Sequence, residues 1–342
     1  MKPPPFEYAA PTSVDEAVEV LTAAGDEAKL LAGGQSLMPL LALRLASPTT
    51  LVDLGRVEGL DRIAVDDHGA LCLGALVRQR VVERHDVVRR QVPLLTQAVP
   101  HIGHAAIRNW GTVGGSLAHA DPAAELPAVA LAADATMVVR SPRGTRTVAA
   151  GDFFVGYLTT ALEPDEVLVE VRYPAWAPRT GSDFQEFSRR HGDFAVVAVA
   201  ATVTLDASGE VASARVALAG VDTTPVRIAE AEKVLVGARP SGAAWREAAD
   251  VAASRLRPPD DLHGSSAYRR HLAGVLVERA LAAAATQAAS SAATQAAPAG
   301  ATQAASATTQ AAAAASQAAS AATQAASGGD ARGIRDQERH KR

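Results

Sequence analysis

Two glycine pairs carry most of the chemistry that this sequence can offer. Ala32-Gly33-Gly34-Gln35-Ser36 and Thr112-Val113-Gly114-Gly115-Ser116 each follow an apolar segment and each end in a hydroxyl residue. Paired glycines let backbone amides point into one concavity and let a bulky anion approach the main chain. A pyrophosphate is the natural guest of such a loop, and Ser36 stands where it can cap the helix that follows. A tight turn is the competing reading of either loop alone; two similar loops in one chain favour the anion. Neither has the Gly-x-Gly-x-x-Gly spacing of the common dinucleotide-binding unit, and neither ends in the Gly-Lys-Ser/Thr of a phosphate loop, so the two commonest nucleotide folds are disfavoured.

Other chemistries find little support. His101, His104 and His119 with Asp121 are the one group that resembles a metal cluster, but they form no ligand motif, and polar or cofactor-adjacent roles are expected of them. Ser36, Ser116 and the scattered acids show neither a nucleophile elbow nor paired-carboxylate spacing, so no catalytic acid, base or nucleophile is assigned. Cys72, the single cysteine, sits in an apolar segment and reads as a buried core thiol. One thiolate cannot hold an iron-sulfur cluster, which needs about four ligands, so any such cluster belongs to a partner. The net charge of -4 comes with no basic stripe, which argues against nucleic acid or an anionic membrane surface. No apolar run suggests a membrane span, and Met1-Lys2-Pro3-Pro4-Pro5 lacks a secretory signal, so a cytoplasmic protein is expected.

The elements that must position these loops follow from periodicity. Thr12-Ser13 with Glu16 predicts a capping box, Val14, Ala17, Val18 and Leu21 a helix, and Gly25 its end. Ala28 to Leu31 reads as a buried strand before the first glycine loop, Leu37 to Leu45 as a helix after it, and Thr50 to Leu54 as a further strand. From Ile63 to Ser141, strands such as Ala70 to Leu73 alternate with helices over Pro93 to Ile102 and Pro122 to Ala132. Strands over Val167 to Tyr173, Ala195 to Leu205 and Val211 to Leu218 then precede helices over Ile228 to Val236 and Ala243 to Leu256, an α+β order. After Leu281 the chain becomes near-repeats of Thr-Gln-Ala-Ala-Ser, ending in a charged run from Asp330 to Arg342. With no large apolar stripe, this stretch reads as a low-complexity, disordered tail.

Lys29 to Pro39, Ile107 to Glu125, Phe153-Phe154-Val155-Gly156-Tyr157 and Arg189-Arg190-His191-Gly192-Asp193-Phe194-Ala195 together resemble the FAD-binding medium subunit of carbon monoxide dehydrogenase and related xanthine-dehydrogenase-type molybdenum hydroxylases. The resemblance implies an α+β chain: a vanillyl-alcohol-oxidase-like (PCMH-type) FAD-binding domain in two subdomains, 1–55 and 56–175, then a small α+β flavoprotein C-terminal domain, 176–282, with 283–342 as the tail. It implies that Lys29, Leu30, Leu31, Ala32, Gly33, Gly34, Gln35, Ser36 and Leu37, with Thr112, Val113, Gly114, Gly115 and Ser116, wrap the pyrophosphate and ribityl chain of FAD. Ile102, Ala118, His119, Glu125 and Leu168 would line the rest. A Glu125 carboxylate suits ribityl hydroxyls, which it can accept from; the competing reading is a first-turn helix acid favoured by the dipole, and the two are compatible.

The implied activity is electron relay. A molybdenum-cofactor large subunit and a 2Fe-2S small subunit would pass electrons to FAD here and on to an external acceptor, in a heterotrimer or a dimer of heterotrimers. The alternatives are a self-sufficient FAD-dependent oxidase or reductase, and a flavin-free scaffold. One departure bears on flavin tuning: some relatives place a lysine near the flavin in the segment that reads Phe184-Gln185-Glu186-Phe187 here, and no lysine is present.

Overall fold

The structure, a computed structural model, describes residues 2–296. Its first layer is a three-stranded parallel sheet in which Thr50–Asp53 lies between Glu7–Ala9 and Ala28–Leu31. The Val14–Ala24 helix packs on it through Ala17, Val18 and Leu21, the 3.6-residue stripe seen in the sequence. Ser13 Oγ accepts from the Glu16 amide at 3.1 Å, while the Glu16 carboxylate accepts from the amide of Thr12 at 2.7 Å, so the reciprocal half of the capping box reaches one residue further back than expected. Gly25, at φ 63°, ends the helix by donating its amide to the Leu21 carbonyl.

The second layer is an antiparallel five-stranded sheet in the order Ile63–Val65, Leu71–Gly74, Val167–Tyr173, Thr136–Ser141, Gly144–Ala149. Leu71, Leu73, Met137, Val139, Val171 and Tyr173 are buried in one core with the Pro93–Ala98 and Glu125–Ala132 helices. All eight residues of Glu125–Ala132 are buried, which is why it shows no amphipathic pattern. Cys72 is buried in this sheet as expected, and burial pushes its thiol above the ordinary value.

A third, antiparallel sheet follows in the order Thr180–Phe187, Val197–Leu205, Val211–Ala219, Val226–Arg227. Val197–Leu205 is buried on both faces: Val197, Val199, Ala201 and Val203 meet the Gly242–Arg255 and Ser266–Ala296 helices, while Ala198 and Ala200 join the core around Glu125–Ala132. Alternation assigns the two faces, and alanine lets the helix approach closely.

Two expectations about the end of the chain need correction. By length and mean hydropathy (1.2), Ser266–Ser291 is apolar enough to cross a bilayer, contrary to the reading that no such run exists. Ala273, Val277, Ala280, Leu281, Ala284 and Ala288 are nevertheless fully buried against the third sheet, so its apolar residues serve the core. The same helix runs past 282, where the low-complexity tail was expected to begin. A Cβ on Gly181 would stand 2.1 Å from the Ala284 carbonyl oxygen, and Gln287 accepts from the Ser182 amide at 3.4 Å. The short side chains that look like low complexity are what let this turn of helix lie flat on a strand. The later repeats and the charged terminus, 297–342, lie outside the described residues.

Candidate functional site

The fold brings the two glycine segments into contact. A Cβ on Gly33 would stand 2.3 Å from the Trp110 carbonyl oxygen and 2.9 Å from Gly111 Cα, and one on Gly115 would stand 3.3 Å from Ala32 Cβ. Only glycine permits that approach at Gly33. The first loop turns through Gly34, at φ 70°, and the Gln35 side-chain amide donates to the Gly33 carbonyl at 3.0 Å, closing the turn.

The two segments then do different things with their amides. Among the described residues, no oxygen accepts from the amides of Gly33, Gly34, Gln35 or Ser36. A run of unpaired N–H groups beside a second wall of main chain has the donor chemistry that an anion requires. The expected cap by Ser36 is absent: its side chain makes no bond to the Leu37–Ala42 helix, and the hydroxyl stays available to a ligand. That helix is also shorter than expected, ending at Ala42 with Arg44 at φ 60°.

The second segment is not a loop. Thr112 caps a helix over Val113–His119, its Oγ1 accepting from the Gly115 amide at 2.9 Å. The Val113 amide donates to Val77 O at 3.0 Å, the Gly114 amide to Ala75 O at 2.8 Å and the Ser116 amide to Thr112 O at 3.2 Å. These amides are already used, so this segment is the wall and the first loop is the donor. Gly114 is small because the Ala75 backbone would lie 2.7 Å from a Cβ there. Thr112→Val keeps the shape and removes the cap, and is expected to cost about 1 kcal/mol in urea unfolding; an unchanged midpoint would show that the Ala75 contact alone fixes this helix.

Of the residues expected at the site, Lys29, Leu30 and Leu31 lie on Ala28–Leu31, which enters the donor loop, and Leu37 opens the helix that leaves it. Ala118 and His119 occupy the last turn of the helix that carries Ser116. Ile102 sits in a turn whose carbonyl accepts from buried Arg108 at 2.9 Å; Arg108 also bonds Gly103 O and the Glu83 carboxylate. Glu125, 6% exposed, begins the next helix. Leu168 is buried on the central strand opposite Val139, at the bulge of that pairing. His101 and His104 turn to other partners: the His101 ring lies 5.3 Å from Phe184, and the His104 ring 6.3 Å from His191.

Two residues have surroundings that the sequence reading did not give. Arg78 donates to the Trp110 carbonyl that abuts Gly33, and its guanidinium lies 5.6 Å from the centre of the Trp110 ring, so a cation braces the wall of the cradle. No local motif links positions 78 and 110. Glu186, in the segment where a lysine was looked for, has a side chain only 2% exposed, and its Oε2 is buried without a partner. Gln185 meanwhile donates to Asp183 at 2.6 Å. Burial and the nearby Glu125 push Glu186 up to about 8; burial first, then Asp121, push Glu125 up to about 7, with Arg108 opposing.

The chain matches two family models in succession: the FAD binding domain in molybdopterin dehydrogenase over residues 4–176, and the CO dehydrogenase flavoprotein C-terminal domain over residues 182–284. It is 42% identical over 284 residues to the alpha subunit of the 6-hydroxypseudooxynicotine dehydrogenase complex of Paenarthrobacter nicotinovorans, covering 83% of this chain and 96% of that protein. It is 39% identical to the carbon monoxide dehydrogenase medium chain of Hydrogenophaga pseudoflava, covering 83% and 98%. Among solved structures, the carbon monoxide dehydrogenase of Hydrogenophaga pseudoflava that lacks the Mo-pyranopterin moiety superposes with a TM-score of 0.81 at 40% identity, covering 83% of this chain and 98% of the other.

Proposed function

The chain belongs to the family of FAD-binding medium subunits of molybdenum hydroxylases, and from that premise we propose that it takes electrons from 2Fe-2S clusters on a small partner subunit and passes them to an external acceptor. The observation that carries this reading is the donor loop, four unpaired amides at Gly33 to Ser36 held against the glycine wall at Trp110 to Gly115. Such a site fits a pyrophosphate better than a substrate. When bound, FAD supplies all of the redox chemistry.

The residues of this chain hold and orient it. Gly33, Gly34, Gln35 and Ser36 donate to the pyrophosphate, the Ser36 and Ser116 hydroxyls add donors at its edges, and Glu125 accepts from the ribityl hydroxyls. Ile102 and Leu168 supply apolar surface. Lys29, Leu30 and Leu31 aim the donor loop, while Ala118 and His119 complete the wall helix. No acid, base or nucleophile of this chain is needed for electron relay, and the molybdenum cofactor belongs to a large partner subunit in a heterotrimer or its dimer.

The test is the visible spectrum of the full-length chain, with the released cofactor identified, before and after co-expression with candidate large and small subunits. The expected result is one FAD per chain, reduced by substrate only when the partners are present. Rapid reduction of the isolated chain by organic donors would replace this reading with that of a self-sufficient oxidase or reductase.

A further inference from the structure

The donor loop answers a pyrophosphate with neutral groups only. Its amides from Gly33 to Ser36 are unpaired, but neither Ala32–Ser36 nor Thr112–Ser116 contains a lysine or an arginine. A diphosphate ester brings negative charge that dipoles alone must then offset. Two cations come near these segments in sequence. Arg108 is committed to the Glu83 carboxylate and to the carbonyls of Ile102 and Gly103. Lys29 is exposed on the strand that leads into the loop. A third cation, Arg78, reaches the cradle only through the fold.

The main chain fixes Arg78 to the wall on both sides. The Val113 amide donates to Val77 O at 3.0 Å, the Gln79 amide donates to Gly111 O at 2.9 Å, and Arg78 itself lies opposite Thr112 in an isolated antiparallel bridge. Gln79, 4% exposed, packs behind Gly111, where its Oε1 would meet a Cβ at 2.5 Å. From this anchor the half-buried Arg78 side chain turns back along the wall. Its Nη1 donates to the Trp110 carbonyl oxygen, the same atom that a Cβ on Gly33 would meet at 2.3 Å. Guanidinium and donor loop are therefore neighbours across a single oxygen. The Trp110 ring, 5.6 Å from Arg78 Cζ, steadies the guanidinium plane. A guanidinium has five N–H groups, and bracing the wall uses one of its nitrogens. Among the described residues nothing accepts from Nε or Nη2, and no carboxylate pairs with Arg78.

We propose that Arg78 is the charge partner of the cofactor's pyrophosphate: one nitrogen braces the wall, and the remaining N–H groups bind a phosphate oxygen. The inference rests on the reading of the cradle as the FAD site and adds to it the residue that supplies the charge. The amides of Gly33 to Ser36 set where the diphosphate lies; Arg78 makes the site prefer an anion over a neutral guest. A bond from a cation to a phosphate oxygen is roughly twice as strong as one from a neutral amide. The fork is already held by a carbonyl and a ring face, so little ordering remains when the ligand arrives.

The test is the FAD affinity of the full-length, FAD-stripped chain at about 0.01 M and about 1 M salt, where charges are screened over about 30 Å and about 3 Å. The proteins are the parent, Arg78→Gln, Arg78→Lys and Lys29→Gln. Arg78→Gln should bind FAD about 10-fold more weakly than the parent at low salt, and the gap should narrow at high salt. Arg78→Lys, which keeps the charge and loses the fork, should recover part of the loss. A loss by the same factor at both salts, with lysine no better than glutamine, reduces Arg78 to a brace and overturns the proposal. So does a salt-dependent loss that appears in Lys29→Gln instead. The parent also answers without any variant that must fold: inorganic pyrophosphate should shift the Arg78 guanidinium proton resonance, and bound pyrophosphate with that resonance unmoved overturns the contact. A chain that binds pyrophosphate through Arg78 and takes up no FAD sinks the cofactor reading and leaves the Arg78 contact standing. A chain that binds FAD equally well as parent and as Arg78→Gln does the reverse.

Discussion

Gly33→Ala is expected to weaken FAD binding sharply. The added Cβ would stand 2.3 Å from the Trp110 carbonyl oxygen, an atom that Arg78 holds, and 2.9 Å from Gly111 Cα. Either the donor loop or the wall must move, and forcing a methyl into a packed backbone contact costs typically about 1–3 kcal/mol. That cost falls on the spacing between the four amides and their facing wall, so most of it appears in cofactor affinity. At about 1.4 kcal/mol per tenfold, FAD affinity should drop by about 10- to 100-fold, measured by fluorescence titration of the FAD-stripped chain. Gly151→Ala is the control, since nothing lies within 4 Å of a Cβ there. A Gly33→Ala chain that binds FAD as the parent does would show that the cradle is not the pyrophosphate site.

The sequence makes the positions of these loops legible and their division of labour illegible. Strands and helices before and after Gly33 follow from apolar spacing, and Gly25 ends its helix where expected because only its freedom at φ 63° allows the turn. Thr112 to Ser116 looks like a second loop because paired glycines disfavour helix. The helix forms there anyway, since the Thr112 cap and the bonds from Val113 and Gly114 to Val77 and Ala75 are tertiary facts. The helix through Ala284 and Ala288 was hidden for the opposite reason. Its contact with Gly181 needs small residues, and small residues in a repeat read as low complexity. Glu186 shows the remaining limit: a sequence states that a carboxyl is present, and only the packing of two domains states that it is buried without a cation.

Arg269→Ala should be the most destabilising single change in the C-terminal domain. Arg269 is 4% exposed on the Ser266–Ala296 helix, and its Nη1 donates to Val196 O at 2.5 Å and Gly220 O at 2.8 Å, one carbonyl just before Val197–Leu205 and one just after Val211–Ala219. Its Nη2 donates to both Asp261 oxygens, at 2.8 and 2.7 Å. One guanidinium therefore closes the ends of two neighbouring strands onto the helix. Removing it leaves two carbonyls without their donor and a carboxylate without its cation; breaking a buried charged network of this kind costs about 3–5 kcal/mol. Lysine does not restore it, because a point charge cannot serve both carbonyls and a bidentate carboxylate. Asp261→Asn is expected to cost much less, since the Asp261 side chain is 41% exposed and water can replace what it loses. The sign of the pH dependence follows from the same contact: Arg269 holds the Asp261 carboxyl below its ordinary value, so this contribution is present above that value and fades as the pH falls through the lowered one. The Gly220 amide also donates to Pro122 O at 2.8 Å, shortly before Glu125, so loosening this corner should reach the FAD site. Urea unfolding of the parent and the three variants measures the order, and an Arg269→Ala midpoint no lower than that of Asp261→Asn would show that the strand ends hold without the guanidinium.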